Sequence, residues 1–201
     1  AAKRFSDKEA IIFHQRRWTY QQLDRSVNRV ANFLLQSGLQ PGDRIAAFGK
    51  NSDAYLILFL ACARSGMIHV PINFALVKDE LLYLLNQSGA VAIFMDEDLA
   101  DNVDAVLHDT AITTTGSLHA QAPSEPLADI LQISQSNADH QPPTVSVQDT
   151  DIAQILYTSG TTSHPKGAIH THRGFMAEYS SCIQHLDLTS QDRSLAALPM
   201  Y

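Results

Sequence analysis

Tyr157-Thr158-Ser159-Gly160-Thr161-Thr162-Ser163-His164-Pro165-Lys166-Gly167 follows a short apolar run, Ile152-Ala153-Gln154-Ile155-Leu156, that reads as a buried strand. The stretch sets Ser and Thr hydroxyls and two glycines around a single lysine. A polyphosphate crowds several negative charges together and needs donors that converge without bulk. Glycines let backbone N–H groups turn inward into an anion-binding concavity. Hydroxyls add short-range donors and can reach a divalent cation held by the same phosphates, and one lysine supplies a compact charge on a long stem. The composition of this loop is that of a phosphate cradle.

The commonest phosphate loop, G-x-x-x-x-G-K-[ST], requires Gly before the lysine and Ser or Thr after it. Counted from Gly160, this chain has Pro165 before Lys166 and Gly167 after it, so the P-loop NTPase reading fails. The stretch instead resembles the signature loop of the adenylate-forming superfamily, which holds acyl-CoA synthetases, luciferases and peptide-synthetase adenylation domains. Tyr157, Thr158, Ser159, Gly160, Thr161, Thr162, Pro165, Lys166, Gly167 and Ala168 match its pattern, and His170 or His172 stands where the family has a histidine. One position departs: Ser163 replaces the usual second glycine, and a left-handed backbone there would cost roughly 1 kcal/mol.

The resemblance extends upstream. Trp18-Thr19-Tyr20, Leu23-Asp24, Asn28, Ala31, Leu35, Gly38 and Pro41-Gly42-Asp43-Arg44-Ile45-Ala46 follow the opening segment of many acyl-CoA synthetases, and Pro71-Ile72-Asn73 resembles a further family turn. Read from the residues alone, Ala10–Phe13 and Arg17–Tyr20 are two short strands. Thr19 is a plausible N-cap for a helix with apolar positions at Leu23, Val27, Val30, Ala31 and Leu34 that ends near Gly38. Strands are expected at 44–48, 68–72, 90–95, 111–115 and 152–156, and helices at 54–64, 79–87, 99–107 and 175–186. Leu195–Tyr201 reads as one more buried strand. This alternation predicts an α/β fold with a mostly parallel, doubly wound sheet and helices on both faces.

Residues 1–116 then form an N-terminal α/β subdomain. Residues 117–150, which hold Pro123, Pro126, Pro142 and Pro143, read as a polar linker or surface excursion, and 151–201 as the start of the ATP-binding part. His69, alone in a strand, reads as a packed histidine, and His119 and His140 as solvated loop residues.

Composition excludes several classes. Of 201 residues 45% are hydrophobic, enough for a sizeable core, and a net charge of −7 with scattered basic residues argues against a nucleic-acid face. Cys62 and Cys182 have no metal-ligand or disulfide-framework spacing, and the first twenty residues lack an apolar leader segment, so a cytoplasmic setting is expected. The apolar run 54–63 is far short of the ~20 residues a bilayer requires.

The resemblance implies a ligase that uses ATP and Mg²⁺ to activate a carboxylic acid as an acyl-adenylate, with CoA as co-substrate. On that reading Thr158, Ser159, Gly160, Thr161, Thr162, Ser163, Lys166 and Gly167 hold the ATP phosphates, Thr158 contacts Mg²⁺, and Tyr201 borders the acyl pocket. It further implies that the family's later parts lie beyond Tyr201, so that this chain is an N-terminal portion inactive by itself. No catalytic residue is evident within it. Homodimerisation and peripheral membrane contact of the full enzyme are left open. The rival readings are an adenylation domain that loads a carrier protein and a non-catalytic nucleotide-binding module.

Overall fold

The computed structural model describes residues 1–120, 128–158 and 164–201. An antiparallel hairpin of β1 (Glu9–Phe13) and β2 (Arg16–Thr19) leads into α1 (Tyr20–Gln36). Thr19 caps α1 as its sequence suggests: its hydroxyl accepts from Gln22 N, and the Gln22 side chain reaches back to Thr19 N in a capping box. Then follow β3 (Arg44–Phe48), α2 (Asp53–Ser65), β4 (Ile68–Ile72), α3 (Lys78–Ser88), β5 (Ala90–Met95) and, after a 3₁₀ turn, α4 (Ala100–Leu107). The remainder comprises β6 (Thr114–Ser117), β7 (Ala128–Asp129), α5 (Ile130–Gln135), β8 (Ile152–Thr158), β9 (Lys166–Thr171) and α6 (His172–His185).

Seven strands form one sheet in the order β7-β6-β5-β3-β4-β8-β9, parallel throughout except that β9 runs antiparallel to β8. The α/β, doubly wound reading is therefore correct. Alternation along β3 shows why helices must cover both faces. Ile45 and Ala47 pack with Ala92 and Phe94 against α1, α2 and α5, whereas Ala46 and Phe48 pack with Ile93 and Met95 against α3 and α4. The chain lays β4 on one side of β3 and then crosses to lay β5 on the other. The carboxyl ends of β3 and β5 therefore flank the point where the winding reverses.

The β1–β2 hairpin is fastened to this sheet by a buried carboxylate. Asp53, in the first turn of α2, accepts from Arg16 Nε at 2.6 Å, Arg16 Nη2 at 2.7 Å and Trp18 Nε1 at 2.8 Å. Burial alone would raise this carboxyl; the hydrogen bonds from Arg16 and Trp18, with the charge of Arg16, overcome it and hold Asp53 below its ordinary value.

Three expectations are corrected. The stretch 117–150 does more than cross the surface: Asp129 caps α5, Ile130 and Ser134 are buried, and Ser26 Oγ donates to Ser134 O at 2.9 Å while Asn28 Nδ2 donates to His140 O at 2.8 Å. A six-residue helix is too short to register as periodicity. β6 begins three residues later than expected, because Thr110 N is still tied to the end of α4 through Leu107 O. Leu195–Tyr201 is not a strand, and Leu195 and Leu198 are 91% and 81% exposed. The backbone of this segment is held by one side chain instead of a ladder: Asn51 Nδ2 donates to the Leu198 carbonyl at 2.7 Å, and the Met200 amide donates to Asn51 Oδ1 at 2.9 Å.

Gly116 marks a close approach within the sheet. A Cβ there would stand 2.6 Å from the Ala128 carbonyl oxygen and 2.6 Å from the Phe94 ring. Gly116→Ala is expected to cost about 1–3 kcal/mol, the scale of an overpacked core, read as a lower urea midpoint with an unchanged slope.

Candidate functional site

The phosphate-type stretch lies between β8 and β9, so its two ends are held by an antiparallel ladder. Thr158 pairs with Lys166 and Tyr157 with Gly167. The strand Lys166–Thr171 was not foreseen, since Lys-Gly-Ala-Ile-His-Thr has neither an apolar run nor strict alternation. Thr158 and Lys166 are both exposed and stand directly across from one another. Ser159, Gly160, Thr161, Thr162 and Ser163 lie outside the described residues. Gly167 is required for packing: a Cβ would come within 2.7 Å of Ile155 Cγ2 and 3.3 Å of the Tyr157 ring.

The hairpin leans on α3. The His164 ring stacks on Tyr83 with centroids 4.9 Å apart and planes at 23°, and Tyr83 OH donates to the Pro165 carbonyl at 3.4 Å. Tyr157 OH donates to Gln87 Oε1, and burial raises that phenol above its ordinary value. Sequence reasoning missed Tyr83 and Gln87. They lie about seventy to eighty residues upstream of their partners, and nothing in α3 marks them apart from its helical pattern.

Tyr201 lies at the same edge of the sheet. Its ring meets Phe74, just past β4, edge-on at 5.6 Å. β4 and β8 are parallel neighbours through His69 and Gln154, and four residues further along each strand stand Asn73 and Thr158. The carboxyl ends of β4 and β8 thus gather Thr158, Lys166, Phe74 and Tyr201 on one rim. Of the two candidate histidines, His170 stacks on Phe175 at 5.3 Å, and His172 opens α6 with its Nε2 buried and without a hydrogen-bond partner among the described residues. His69 is a packed histidine: it is fully buried between Tyr55 and Phe59, and burial pushes its ring down to about 3, so it is neutral.

Among the described residues no three His, Cys, Asp or Glu side chains could together hold a metal ion, and no helix is long and apolar enough to cross a membrane. A metal at this rim would be held mostly by the phosphate oxygens of its ligand and by water, as Mg²⁺ is in nucleotide sites. The exposed Thr158 hydroxyl suits that arrangement.

The fold is thus a doubly wound α/β sheet whose edge hairpin sets Thr158 and Lys166 at the two ends of a Ser/Thr/Gly-rich stretch of sequence. The AMP-binding enzyme model matches residues 1–201, and the chain belongs to that adenylate-forming family. It is 35% identical over 184 residues to a feruloyl-CoA synthase of Amycolatopsis, covering 91% of this chain and 34% of the relative. It is 36% identical over 171 residues to the fatty acid–[acyl-carrier-protein] ligase ScoC of Streptomyces coeruleorubidus, covering 84% and 31%. The fold matches the N-terminal domain of FACL13 from Mycobacterium tuberculosis with a TM-score of 0.88 and 30% identity, over 99% of this chain and 49% of that one. The chain spans about a third of the length of these curated relatives.

Proposed function

We propose that the chain is the N-terminal part of an ATP-dependent acid–thiol ligase of cytoplasmic setting that activates a carboxylic acid, a fatty acid in our reading, and passes it to CoA. The observation that carries this reading is the β8–β9 hairpin, which sets Thr158 across from Lys166 at the two ends of the family's signature loop. In the first half-reaction a substrate carboxylate oxygen attacks the α-phosphorus of ATP, and the bond to the bridging oxygen breaks to release pyrophosphate. In the second, the CoA thiol attacks the acyl carbonyl and AMP leaves with the electron pair. Lys166 and the Thr158 hydroxyl, with the loop between them, hold the β- and γ-phosphates, where negative charge grows as pyrophosphate departs. Mg²⁺ bound with the nucleotide would supply charge neutralisation at the phosphates, and the exposed Thr158 hydroxyl would be its protein contact. A substrate carboxylate is already ionised and needs no general base.

The acceptor is the part of this reading with the strongest rival. ScoC acts on an acyl-carrier protein, and its similarity favours a carrier protein as the alternative thiol. A non-catalytic nucleotide-binding module is the alternative of a different class.

Carboxylate-dependent ATP–pyrophosphate exchange tests the proposal, run across acetate, medium-chain, long-chain and aryl acids on this chain and on the longer protein to which it is assigned. Exchange by the longer protein and none by the chain alone is the expected result. Failure of the longer protein with every acid would overturn the reading, and adenylate formation by the isolated chain would exclude the non-catalytic module.

The brace from α3 makes a second prediction. Tyr83→Ala removes the ring stacked on His164 and should weaken ATP binding by the longer protein on the order of five-fold, the equivalent of about 1 kcal/mol of stacking. Tyr83→Phe keeps the ring and loses only the long bond to Pro165, so its ATP dissociation constant should stay within about twofold of wild type. Equilibrium dialysis with ATP measures both.

A further inference from the structure

At the carboxyl ends of β3, β5 and β6 lies a crevice of about 780 Å³ that the proposed chemistry does not use, with Lys50, Asn51, Asp96, Asp98 and His119 among its lining residues. It sits where the winding of the sheet reverses, between β3 and β5. Open α/β sheets bind ligands at such points, because two loops leave in opposite directions there and part from one another.

Asp96 is its floor. The residue is 3% exposed, and its Oδ2 accepts from Lys50 N at 2.7 Å. Its Oδ1 is buried and has no hydrogen-bond donor, the nearest polar group being His119 Nε2 at 3.7 Å. A buried carboxylate oxygen without a donor carries a desolvation cost that a partner would relieve. Gly49 permits the arrangement, since a Cβ there would stand 2.9 Å from Asp96 Cγ and 2.5 Å from Leu118 Cδ1.

The charge around this floor is negative. Asp96, Glu97 and Asp98 face a single lysine, Lys50, whose ammonium is already engaged with Asp98 at 2.7 Å. An anion entering here meets three carboxylates. A metal ion lacks a third His, Cys, Asp or Glu ligand among the described residues. An organic cation with an N–H donor answers both the charge and the unmatched acceptor.

We propose that this crevice is a ligand site, separate from the β8–β9 hairpin, that binds an organic ammonium group through an N–H···Oδ1 bond to Asp96. Its occupant would neighbour the segment that carries Tyr201. Asn51 lines the crevice and at the same time holds Leu198 O and Met200 N.

The Lys50 amide, bonded to Asp96 Oδ2, is a built-in reporter. With propylammonium chloride added to the protein at constant ionic strength, its NMR resonance should shift saturably. Isosteric 1-propanol should leave it unmoved, and Asp96→Asn should weaken the response about tenfold, the scale of one lost charge-assisted hydrogen bond. Should Asp96→Asn fail to fold, titration of the wild-type protein serves. Burial raises the Asp96 carboxyl above its ordinary value, the Lys50 amide and the His119 and Lys50 charges oppose that, and Asp98 adds to it. The cation should be lost as pH falls and Asp96 takes up its proton, with Lys50, Glu97, Asp98, His119 and His14 the other titratable groups lining the site. The same pH series in His119→Ala separates the imidazole from the carboxylate. Binding that survives in His119→Ala and still falls with pH belongs to Asp96, whereas pH dependence that vanishes in this variant overturns the proposal. No saturable shift, an equal shift with propanol, or a shift produced by inorganic pyrophosphate in place of propylammonium would overturn it too.

Discussion

Lys166→Ala is expected to lower carboxylate-dependent ATP–pyrophosphate exchange by the longer protein about a hundredfold, the loss seen when one preorganised donor to developing charge is removed. Lys166 begins β9 with its side chain exposed, and among the described residues no ion pair or side-chain hydrogen bond engages it. Its removal therefore leaves the ladder and the core untouched, and the thermal midpoint should move by less than about 2 °C, as for a surface substitution of a few tenths of a kcal/mol. Lys166→Arg keeps the charge but replaces a compact ammonium with a planar fork, and should recover only part of the rate. Thr158→Val, across the ladder, should reduce exchange by a smaller factor, about tenfold, and raise the Mg²⁺ concentration needed for half-maximal exchange. If Lys166→Ala kept exchange within about threefold of wild type, phosphate binding by this hairpin would be excluded, because no other lysine or arginine belongs to the signature loop.

What the sequence discloses follows from which interactions are local. β3, β4 and β5 were legible to the residue, because each is a five- or six-residue, largely apolar run closed by Gly49, Asn73 or an acidic turn, the mark of a strand buried on both faces. The start of α1 was legible through its cap at Thr19, which acts within three residues. β9 was hidden because an exposed edge strand owes its place to its partner, and Lys166–Thr171 has only the ladder with β8 to define it. The same distinction runs through the site. The signature motif named Thr158 and Lys166, but their opposition across an antiparallel ladder depends on that hidden strand. The bracing of the hairpin by Tyr83 and Gln87, and the hold of Asn51 on Leu198 and Met200, join residues about 70 to 150 positions apart and leave no local trace. The reading of Leu195–Tyr201 failed for a related reason: an apolar run suggests a buried strand, but the backbone here is tied to the Asn51 side chain about 150 positions upstream, and Leu195 and Leu198 stay exposed.

Asp53→Ala should destabilise the fold by about 3 kcal/mol, the low end for one partner lost from a buried ion pair, because Arg16 keeps 34% of its side chain in water. The carboxylate does three things at once: it neutralises Arg16, satisfies the buried Trp18 indole N–H, and bonds the Ala54 amide in the first turn of α2. Alanine leaves a guanidinium and an indole donor without their acceptor and frees the β1–β2 hairpin from the sheet. Urea denaturation should accordingly show both a lower midpoint and, in hydrogen exchange, early opening of β1 and β2 ahead of the central strands. The sign of the pH dependence follows from the direction of the Asp53 shift. A carboxyl held below its unfolded value of 3.8 contributes stability that is complete above that pH and is lost as pH falls through the depressed native value. Below about pH 4 the wild-type protein should therefore lose its advantage over Asp53→Asn, which keeps the shape and one acceptor oxygen but not the charge. Two midpoint-versus-pH curves that stay parallel down to pH 2 would show that Asp53 holds the hairpin by shape and hydrogen bonding and not through its ionised form.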